Sequence, residues 1–194
     1  SEIAFRIKLG RASLAESWRR GAGLPRSAWG TAVAHFGVGV TVLGVVGATA
    51  WNSEEIATLK PGEAMSIGAY SVTMDGFVPL SASNYTGTAV RFTVREGGNV
   101  VATMEPEKRL YTVPNTPTTE AAIKTFGVSQ LYVSLGDIGT DGATVVRVYW
   151  KTLVTLIWIG ALIMTAGGAL SLSDRRLRVG APKPARRAVP VPAE

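Results

Sequence analysis

The stretch from Trp29 to Trp51, WGTAVAHFGVGVTVLGVVGATAW, determines how the rest of the chain is interpreted. It is 23 residues long and contains no Asp, Glu, Lys or Arg. A helix of this length rises about 33 Å, which is enough to cross the hydrocarbon core of a bilayer. Tryptophan stands at both ends, where membrane helices meet the lipid headgroups. The stretch therefore predicts a transmembrane helix over residues 29–51.

A second uncharged run, of 22 residues, lies between Lys151 and Asp174. It is also long enough to span a bilayer, and Tyr149 and Trp150 stand at its start as interfacial aromatic residues. We therefore expect a second transmembrane helix over residues 150–172. An even number of spans places the two flanking segments on the same side of the membrane.

Charge is unevenly distributed along the 194 residues, whose formal net charge is +6. Residues 1–28 and 173–194 each carry a net charge of +4, whereas residues 52–149 carry a net charge of −3. Basic flanks of membrane helices stay in the cytoplasm, so both ends are predicted to be cytoplasmic and residues 52–149 to be translocated. A nucleic-acid partner is not indicated, because the positive charge is divided between the two ends.

Residue counts exclude several kinds of chemistry. The chain has no cysteine, which excludes disulfides, thiol nucleophiles and cysteine-ligated metals. It has one histidine, so no metal can be held by two imidazoles of this chain. The first residue is Ser1 rather than Met, and no signal-peptide pattern follows. We therefore expect a piece of a longer protein, or a protein whose start is missing.

Residues 52–149 are predicted to form a small domain of mainly β structure. The candidate strands, chosen for alternation of apolar and polar residues, are 70–74, 89–94, 100–104, 109–113, 131–135 and 144–149. Asp75 and Gly76 are predicted to end the first of these strands, and residues 96–99 to form a hairpin turn. A short helix is predicted to begin at Thr119. This spacing favours a sandwich or barrel.

No catalytic constellation is evident in residues 52–149, which contain no histidine, no cysteine and no Gly-rich phosphate loop. Glu105, Glu107 and Glu120 form the one candidate acid–base set. Catalytic carboxylates need burial or a close charge to perturb their pKa, whereas carboxylates on a small β surface are usually solvated. Docking of a partner chain, or contact with loops of a neighbouring subunit, is the better interpretation of this domain.

The single histidine, His35, lies six residues after Trp29, about 9 Å into the predicted first span. Ionisable residues inside a membrane are candidates for function, and neutral imidazole is a common ligand of haem iron. Val38, Gly39 and Val42 share its helix face, and the glycine leaves room for a flat ligand. The alternative is a hydrogen bond from His35 to another helix, with the glycines serving close helix packing.

From Ala34 onward the chain resembles the C-terminal end of the CcmF family of bacterial cytochrome c maturation. The resemblance covers about 140 residues in order and spacing. The strings that carry it are Ala34-His35-Phe36-Gly37-Val38, Glu107-Lys108-Arg109 with Tyr111, Thr119-Glu120-Ala121-Ala122-Ile123, Leu131-Tyr132-Val133 with Leu135-Gly136, Arg147 with Tyr149, Ile157-Trp158-Ile159-Gly160 with Met164 and Gly167-Gly168, and Asp174-Arg175-Arg176 with Arg178.

The resemblance implies a haem lyase subunit of the bacterial inner membrane, with two transmembrane helices enclosing a periplasmic, mainly-β domain. Such proteins attach haem covalently to apocytochrome c. The implied partners are the haem chaperone CcmE, CcmH, apocytochrome c and the rest of the CcmF polypeptide. The implied cofactor is a resident haem b, whose proposed role is electron delivery. His35 occupies the position of one axial ligand of its iron.

Several parts that the resemblance implies are missing from this chain, including the tryptophan-rich haem-handling segment and the second haem ligand. The segment alone is therefore expected to be inactive, and it is either a truncated piece or one part of a split protein. The resemblance also implies proline after Lys151, where the chain has Thr152. Two other functions stay open: a non-enzymatic membrane-anchored docking module and, more weakly, a two-span transporter subunit.

Overall fold

The structure is a computed structural model that describes residues 13–174. The start of the predicted basic segment 1–28 and the predicted tail after Asp174 lie outside the described residues. Three helices are present: α1 (Leu14–Ala22), α2 (Arg26–Ala50) and α3 (Thr155–Leu172). Both α2 and α3 are long and apolar enough to cross a membrane. Two apolar helices thus flank the middle of the chain, as predicted.

Ten strands lie between α2 and α3. They are β1 (Ser53–Leu59), β2 (Ala64–Ile67), β3 (Tyr70–Ser81), β4 (Tyr85–Glu96), β5 (Asn99–Met104), β6 (Glu107–Thr112), β7 (Asn115–Glu120), β8 (Ala122–Phe126), β9 (Ser129–Ile138) and β10 (Thr144–Lys151). One antiparallel sheet has the order β1-β10-β9-β8. The other has the order β2-β3-β4-β6-β7, with β5 also paired to β4. The predicted small mainly-β domain is confirmed.

The core of this domain is formed by apolar side chains from both sheets. Val133 of β9, Val148 of β10, and Phe92 and Val94 of β4 belong to the same core cluster, and all four are fully buried. Along β9 and β10 buried residues alternate with partly exposed ones, as expected where one face of a sheet packs on a core. Tyr70, Phe126 and Trp150 close one end of the core, with Tyr70 and Trp150 stacked at 5.0 Å between ring centroids.

Two of the predicted turn and helix signals are wrong. Asp75 and Gly76 do not end a strand, because β3 continues to Ser81 through a register shift between Met74 and Gly76. Gly76 has φ 154°, and an extra residue at this point bends the strand instead of reversing it. The hairpin at residues 96–99 is confirmed, with φ above zero at both of its glycines.

The helix predicted from Thr119 is also absent, because Thr119 and Glu120 complete β7 and the next residues form β8. A short isolated helix is marginally stable by itself. The segment after Ala121 pairs instead with β9, where Ile123 lies opposite Tyr132. Pairing of the backbone with β9 therefore overrides the local helix signal.

The chain divides into two compact units, and each has its own helix contacts. The first joins the chain up to Val38 with the chain from Ala161 onward. In it, a Cβ built on Gly167 of α3 would lie 2.5 Å from the Ala34 nitrogen and 2.7 Å from the Gly30 carbonyl oxygen of α2. The backbones therefore approach so closely that only glycine fits at this point.

Two hydrogen bonds complete the ends of the helices in this first unit. The carboxylate of Asp174 accepts a hydrogen bond of 3.1 Å from the backbone N–H of Ser27, in the first turn of α2. The indole N–H of Trp29 donates to the carbonyl of Gly21, in the last turn of α1. Backbone groups at helix ends have no partner within the helix, and these contacts satisfy two of them.

The second unit, Gly39–Gly160, contains the β domain and the adjoining parts of α2 and α3. Here Gly44 faces the backbone of Ile157, and Gly47 faces the side chain of Leu153. Helix α3 begins at Thr155, later than the predicted residue 150. The reason is that Trp150 and Lys151 extend β10 by pairing with β9.

A tight joint connects β10 to α3. The Thr152 hydroxyl donates to the Trp51 carbonyl at 2.8 Å, and the Leu153 N–H donates to the Ser129 hydroxyl at 3.3 Å. The Thr155 N–H donates to the Val128 carbonyl at 3.1 Å. Leu153 has φ 58°, a left-handed conformation that is costly for a residue with a Cβ. Thr152, where the resemblance implies proline, supplies a hydroxyl donor that proline lacks.

Candidate functional site

His35 lies on the side of α2 that faces away from α3. It follows the buried Gly30 by five residues, a rotation of about 140° around the helix axis. Both His35 and its neighbour Phe36 are exposed, and the exposed fraction of Phe36 is 66%. The glycine side of α2 therefore packs on α3, while the histidine side is open in the described part of the chain.

One ring nitrogen of His35 is committed to the helix itself. Its Nδ1 lies 2.8 Å from the carbonyl oxygen of Thr31, one turn earlier. A carbonyl oxygen can only accept a hydrogen bond, so Nδ1 carries the proton in this arrangement. The neutral ring then has its lone pair on Nε2. A hydrogen bond at Nδ1 that fixes the tautomer and the ring orientation is the usual support of a ligating histidine.

The positions that helical spacing places beside the histidine are also open. Val38 and Val42 have exposed fractions of 47% and 54%. A Cβ built on Gly39 would meet no atom within 4 Å. The helix surface one turn after His35 is therefore uncovered at Gly39 within the described residues.

An exposed imidazole on an apolar, membrane-length helix needs a partner. In hydrocarbon an unsatisfied polar group costs several kcal/mol. Residues 13–174 contain no second histidine, and no group of three or more His, Asp or Glu in this range could hold a metal ion. Among residues 13–174, the hydrogen bond that His35 makes is the one from Nδ1 to the Thr31 carbonyl. His35 can supply one ligand, which fits axial coordination of a haem iron.

The candidate acid–base set of the β domain is not assembled as a catalytic group. Glu105 pairs with Arg91 at 2.6 Å, and Glu107 pairs with Arg109 at 2.6 Å. Glu120 lies opposite Glu107 in the register of β6 and β7, and it is exposed. Two of the three carboxylates are thus held as ion pairs, which leaves them without the role in proton transfer that was considered from the sequence.

An ordered cluster around Arg109 was not predicted. The guanidinium carbon lies 4.7 Å from the centroid of the Tyr85 ring, and an N–H of the guanidinium points to the Tyr111 hydroxyl at 3.4 Å. The hydrogen bond to Glu107 is the main cause that raises the pKa of Arg109 above its ordinary value. Arg109 and Tyr111 are close in sequence, but Tyr85 comes from β4 and only strand pairing brings it near.

Comparison with protein families identifies a match over the β domain. Residues 50–152 match a family described as the CcmF C-terminal beta-sandwich. A cytochrome c-type biogenesis protein CycK from Rhizobium meliloti is 51% identical over 189 residues, which is 97% of this chain and 28% of that protein. The CcmF protein of Escherichia coli is 34% identical over 159 residues, 82% of this chain and 25% of that protein.

A solved structure titled Cytochrome c Heme Lyase CcmF has the same fold. Its TM-score to this chain is 0.66 at 19% identity, with 88% of this chain and 27% of that chain covered. At this level of identity the likeness establishes the fold alone. The chain spans between about a quarter and 28% of the length of the curated relatives described here.

Proposed function

The chain belongs to the CcmF family of cytochrome c-type biogenesis proteins, and on that premise we propose that it serves as the C-terminal part of a membrane haem lyase. In this proposal His35 is one axial ligand of a resident haem b, held beside α2. The complete lyase attaches haem to apocytochrome c in the periplasm, with the haem chaperone CcmE and CcmH as partners. The two helices span the inner membrane, and the β domain is periplasmic.

The observation that carries the proposal is the environment of His35. Its Nδ1–H is bound to the Thr31 carbonyl, so the free lone pair of Nε2 is presented on an open, apolar face of the helix. The helix backbone fixes the ring before any ligand arrives, which reduces the entropy lost on binding. The neutral form of imidazole is the one that ligates iron.

When bound there, a haem supplies one-electron redox chemistry, and the proposed use of that chemistry is to keep the substrate haem iron reduced. The part played by this chain would be to supply the imidazole of His35 as a ligand and to line one side of the site with apolar residues. Val38 and Val42 exclude water, and Gly39 allows a planar group to approach the helix backbone.

Substitution of His35 in the complete assembly tests the proposal. We expect His35→Ala to abolish the b-type absorbance of the resident haem, while the protein still inserts into the membrane, and added imidazole to restore part of it. Val45→Ala is the matched control, because it shortens an exposed residue of the same helix that the proposal does not place beside the haem. Its spectrum is expected to match that of the unsubstituted protein.

His35→Gln separates ligation from the alternative of a hydrogen bond to another helix. Glutamine can replace a hydrogen-bonding imidazole, but it does not ligate haem iron as imidazole does. Ligation by His35 predicts that the absorbance is lost in His35→Gln as it is in His35→Ala. Retention of the unaltered spectrum in either variant would contradict the proposal.

The β domain contributes binding rather than proton transfer in this proposal. Within residues 52–149 the candidate carboxylates Glu105 and Glu107 are paired with arginines, and histidine is absent. The domain also shares a tight joint with α3, formed by Thr152, Leu153 and Thr155. It is therefore suited to position a bound protein relative to the helices.

A further inference from the structure

The depth of the β domain relative to the membrane follows from the length of α3, given that α3 spans the bilayer as in the proposed function. Helix α3 has 18 residues, so it rises about 27 Å, slightly less than the hydrocarbon thickness of about 30 Å. A helix of this length has no turn to spare outside the hydrocarbon. Its first residue, Thr155, therefore lies at the edge of the hydrocarbon, and a group bonded to Thr155 lies at the same depth.

The turn between β8 and β9 is bonded to that residue. Gly127 and Val128 form this turn, and the carbonyl of Val128 accepts a hydrogen bond of 3.1 Å from the Thr155 N–H. The side chain of Val128 is apolar and 39% exposed. The hydrogen bond fixes the turn at the edge of the hydrocarbon, so the surface that Val128 presents there meets lipid.

Two exposed tryptophans lie beside the same joint. The carbonyl of Trp51 accepts the hydrogen bond from the Thr152 hydroxyl, and the residue is 57% exposed. Trp158, in the first turn of α3, is 69% exposed. Tryptophan is enriched where membrane helices meet the headgroups. Trp150 is stacked on Tyr70 in the core instead, so the aromatic residues available to the interface are the other two.

A polar row crosses three strands just beyond this level. It consists of Lys151 of β10, Gln130 of β9 and Thr125 of β8, which lie opposite one another in register, and we call it the headgroup row. The amide N–H of Gln130 donates to the Thr125 hydroxyl at 3.1 Å. Gln130 precedes the fully buried Leu131. Because neighbouring residues of a strand point to opposite faces, the row faces away from the core.

The headgroup row is close enough to the joint to reach the lipid headgroups. Gln130 follows Val128 by two residues, which is at most about 7 Å along the strand. The interfacial region adds about 5–7 Å on each side of the hydrocarbon core. The row therefore lies at the depth of the lipid phosphates, with an apolar residue and exposed tryptophans on its hydrocarbon side.

Lys151 carries the charge of this row. Its Nζ lies 5.2 Å from the centroid of the Tyr149 ring, a contact that favours this position of the ammonium group. Glu54 is opposite Tyr149, but within residues 13–174 no ion pair joins Lys151 to a carboxylate. Phosphate is the anion that a phospholipid presents at this depth, and a lysine ammonium binds phosphate as a point charge. The row and the lipid phosphate are thus complementary in charge.

We propose that the headgroup row binds the phosphate of a phospholipid in the periplasmic leaflet, with Lys151 as the cationic ligand. Gln130 and Thr125 supply an amide and a hydroxyl to other polar atoms of the headgroup, and Val128 contacts the lipid below the phosphate. The bound lipid fixes the base of the four-stranded sheet at the membrane surface. The proposal rests on the spanning of the membrane by α3, and it does not require haem ligation by His35.

Nitroxide labels measure the depth of the turn. The chain has no cysteine, so Val128→Cys gives a single labelling site in the chain reconstituted into vesicles of phosphatidylglycerol and phosphatidylcholine. Val113→Cys is the matched control, since Val113 is an 88% exposed valine at the end of β4 opposite to Tyr70. Leu162→Cys, on a 70% exposed position of α3, is the membrane reference. We expect dissolved oxygen to relax the labels at positions 128 and 162 more strongly than an aqueous nickel chelate does, and the reverse at position 113.

The reference separates two kinds of failure. A label at position 162 that is in lipid, together with a label at position 128 that is as accessible to the nickel chelate as that at position 113, overturns the inference and leaves the spanning by α3 intact. A label at position 162 that is in water overturns the spanning by α3, and this inference with it.

Variants of Lys151 test the phosphate contact. Native mass spectrometry of the detergent-solubilised chain, titrated with phosphatidylglycerol, measures lipid affinity. We expect Lys151→Gln to weaken binding about tenfold, as for loss of a charge-assisted hydrogen bond, and Lys151→Arg to preserve it. Lys124→Gln is the matched control, because it removes the same charge from an exposed lysine of β8 outside the row, and it should bind as the unsubstituted chain does.

Circular dichroism establishes that the lysine variants fold. Equal affinities of Lys151→Gln and Lys124→Gln for phosphatidylglycerol overturn the proposal. Inorganic phosphate is the probe for the other source of the same anion, and we expect it to bind more weakly because it lacks the part of the lipid that contacts Val128. Inorganic phosphate that binds as tightly as phosphatidylglycerol overturns the assignment of a lipid.

Discussion

The β-sandwich and the pair of long helices bury opposite kinds of residue. In the sandwich, large apolar side chains such as Phe92 and Val148 are fully buried. In α2, the large apolar side chains of Phe36 and Val42 are exposed, and the buried positions include Gly30 and Gly44. In water, the hydrophobic effect buries apolar side chains in a core. Between helices in lipid this driving force is absent, and small residues that allow close backbone contact occupy the interface instead.

The largest expected effect compares two phenylalanines, one from each region. Phe92→Ala removes a fully buried ring and is expected to destabilise the sandwich by about 3–5 kcal/mol, because a cavity remains in the core. Phe36→Ala removes a ring that is 66% exposed on α2 and should leave the unfolding of the sandwich unchanged. Urea unfolding followed by circular dichroism of the chain in detergent measures both. Equal losses of stability in Phe92→Ala and Phe36→Ala would contradict the expected difference between the sandwich and the helix.

The next effect compares two adjacent glycines of α3. Gly167→Ala places a Cβ against the backbone of Ala34, and overpacking of this kind costs about 1–3 kcal/mol. Gly168→Ala is the control, since a Cβ there meets nothing within 4 Å and alanine favours a helix by about 1 kcal/mol over glycine. Titration with sodium dodecyl sulfate, followed by helix content, measures both. A Gly168→Ala variant as unstable as Gly167→Ala would show that helix packing is not the cause.

A smaller effect is expected at the joint that links the two kinds of structure. Thr152→Val removes the hydroxyl that donates to the Trp51 carbonyl, at a cost of about 0.5–1.5 kcal/mol. Thr152→Ser keeps the donor and should restore most of the stability. The unfolding midpoint of the detergent-solubilised chain is the measurement. Identical unfolding midpoints for Thr152→Val and Thr152→Ser would show that this hydrogen bond does not stabilise the joint.

The smallest effect is electrostatic and belongs to the surface of the sandwich. The hydrogen bond from Lys60 lowers the pKa of Asp141 below its ordinary value, and the Ala143 N–H acts in the same direction. Because the folded pKa is the lower one, the stabilisation is complete above the unfolded pKa of about 4 and is lost as the pH falls through the folded pKa.

Asp141→Asn should therefore show a smaller loss of stability than the unsubstituted chain when the pH is lowered from about 5 to about 3. Both partners are more than half exposed, so salt should reduce the difference. Thermal unfolding of both chains at the two pH values, with and without added salt, measures this difference in the loss of stability. A difference that grows with salt would contradict this interpretation.

Local patterns predicted much of the β domain but not its irregularities. Alternation from Ala89 to Val94 and the glycines at 97 and 98 were sufficient for a hairpin, because strand period and turn chemistry are both local. Gly76 was ambiguous, since Asp-Gly serves a turn or a bulge equally well, and only pairing of β3 with β4 decides between them. The signal at Thr119 failed for the same reason, because the pairing of β8 is set by distant residues.

For the candidate site the sequence indicated one residue, His35, and its role as a haem ligand stays a prediction. A lone imidazole in an uncharged run is conspicuous, so His35 could be selected from the sequence. The tautomer of His35 could not be predicted from the sequence, because it depends on the rotamer that brings Nδ1 to the Thr31 carbonyl.

The joint between β10 and α3 has a mechanical consequence. Only residues 152–154 separate strand from helix, and the left-handed turn at Leu153 is braced by contacts to Ser129 and Gly47. Such a short, hydrogen-bonded connection leaves few backbone bonds free to rotate, so we expect a displacement of β10 to be passed on to the first turn of α3.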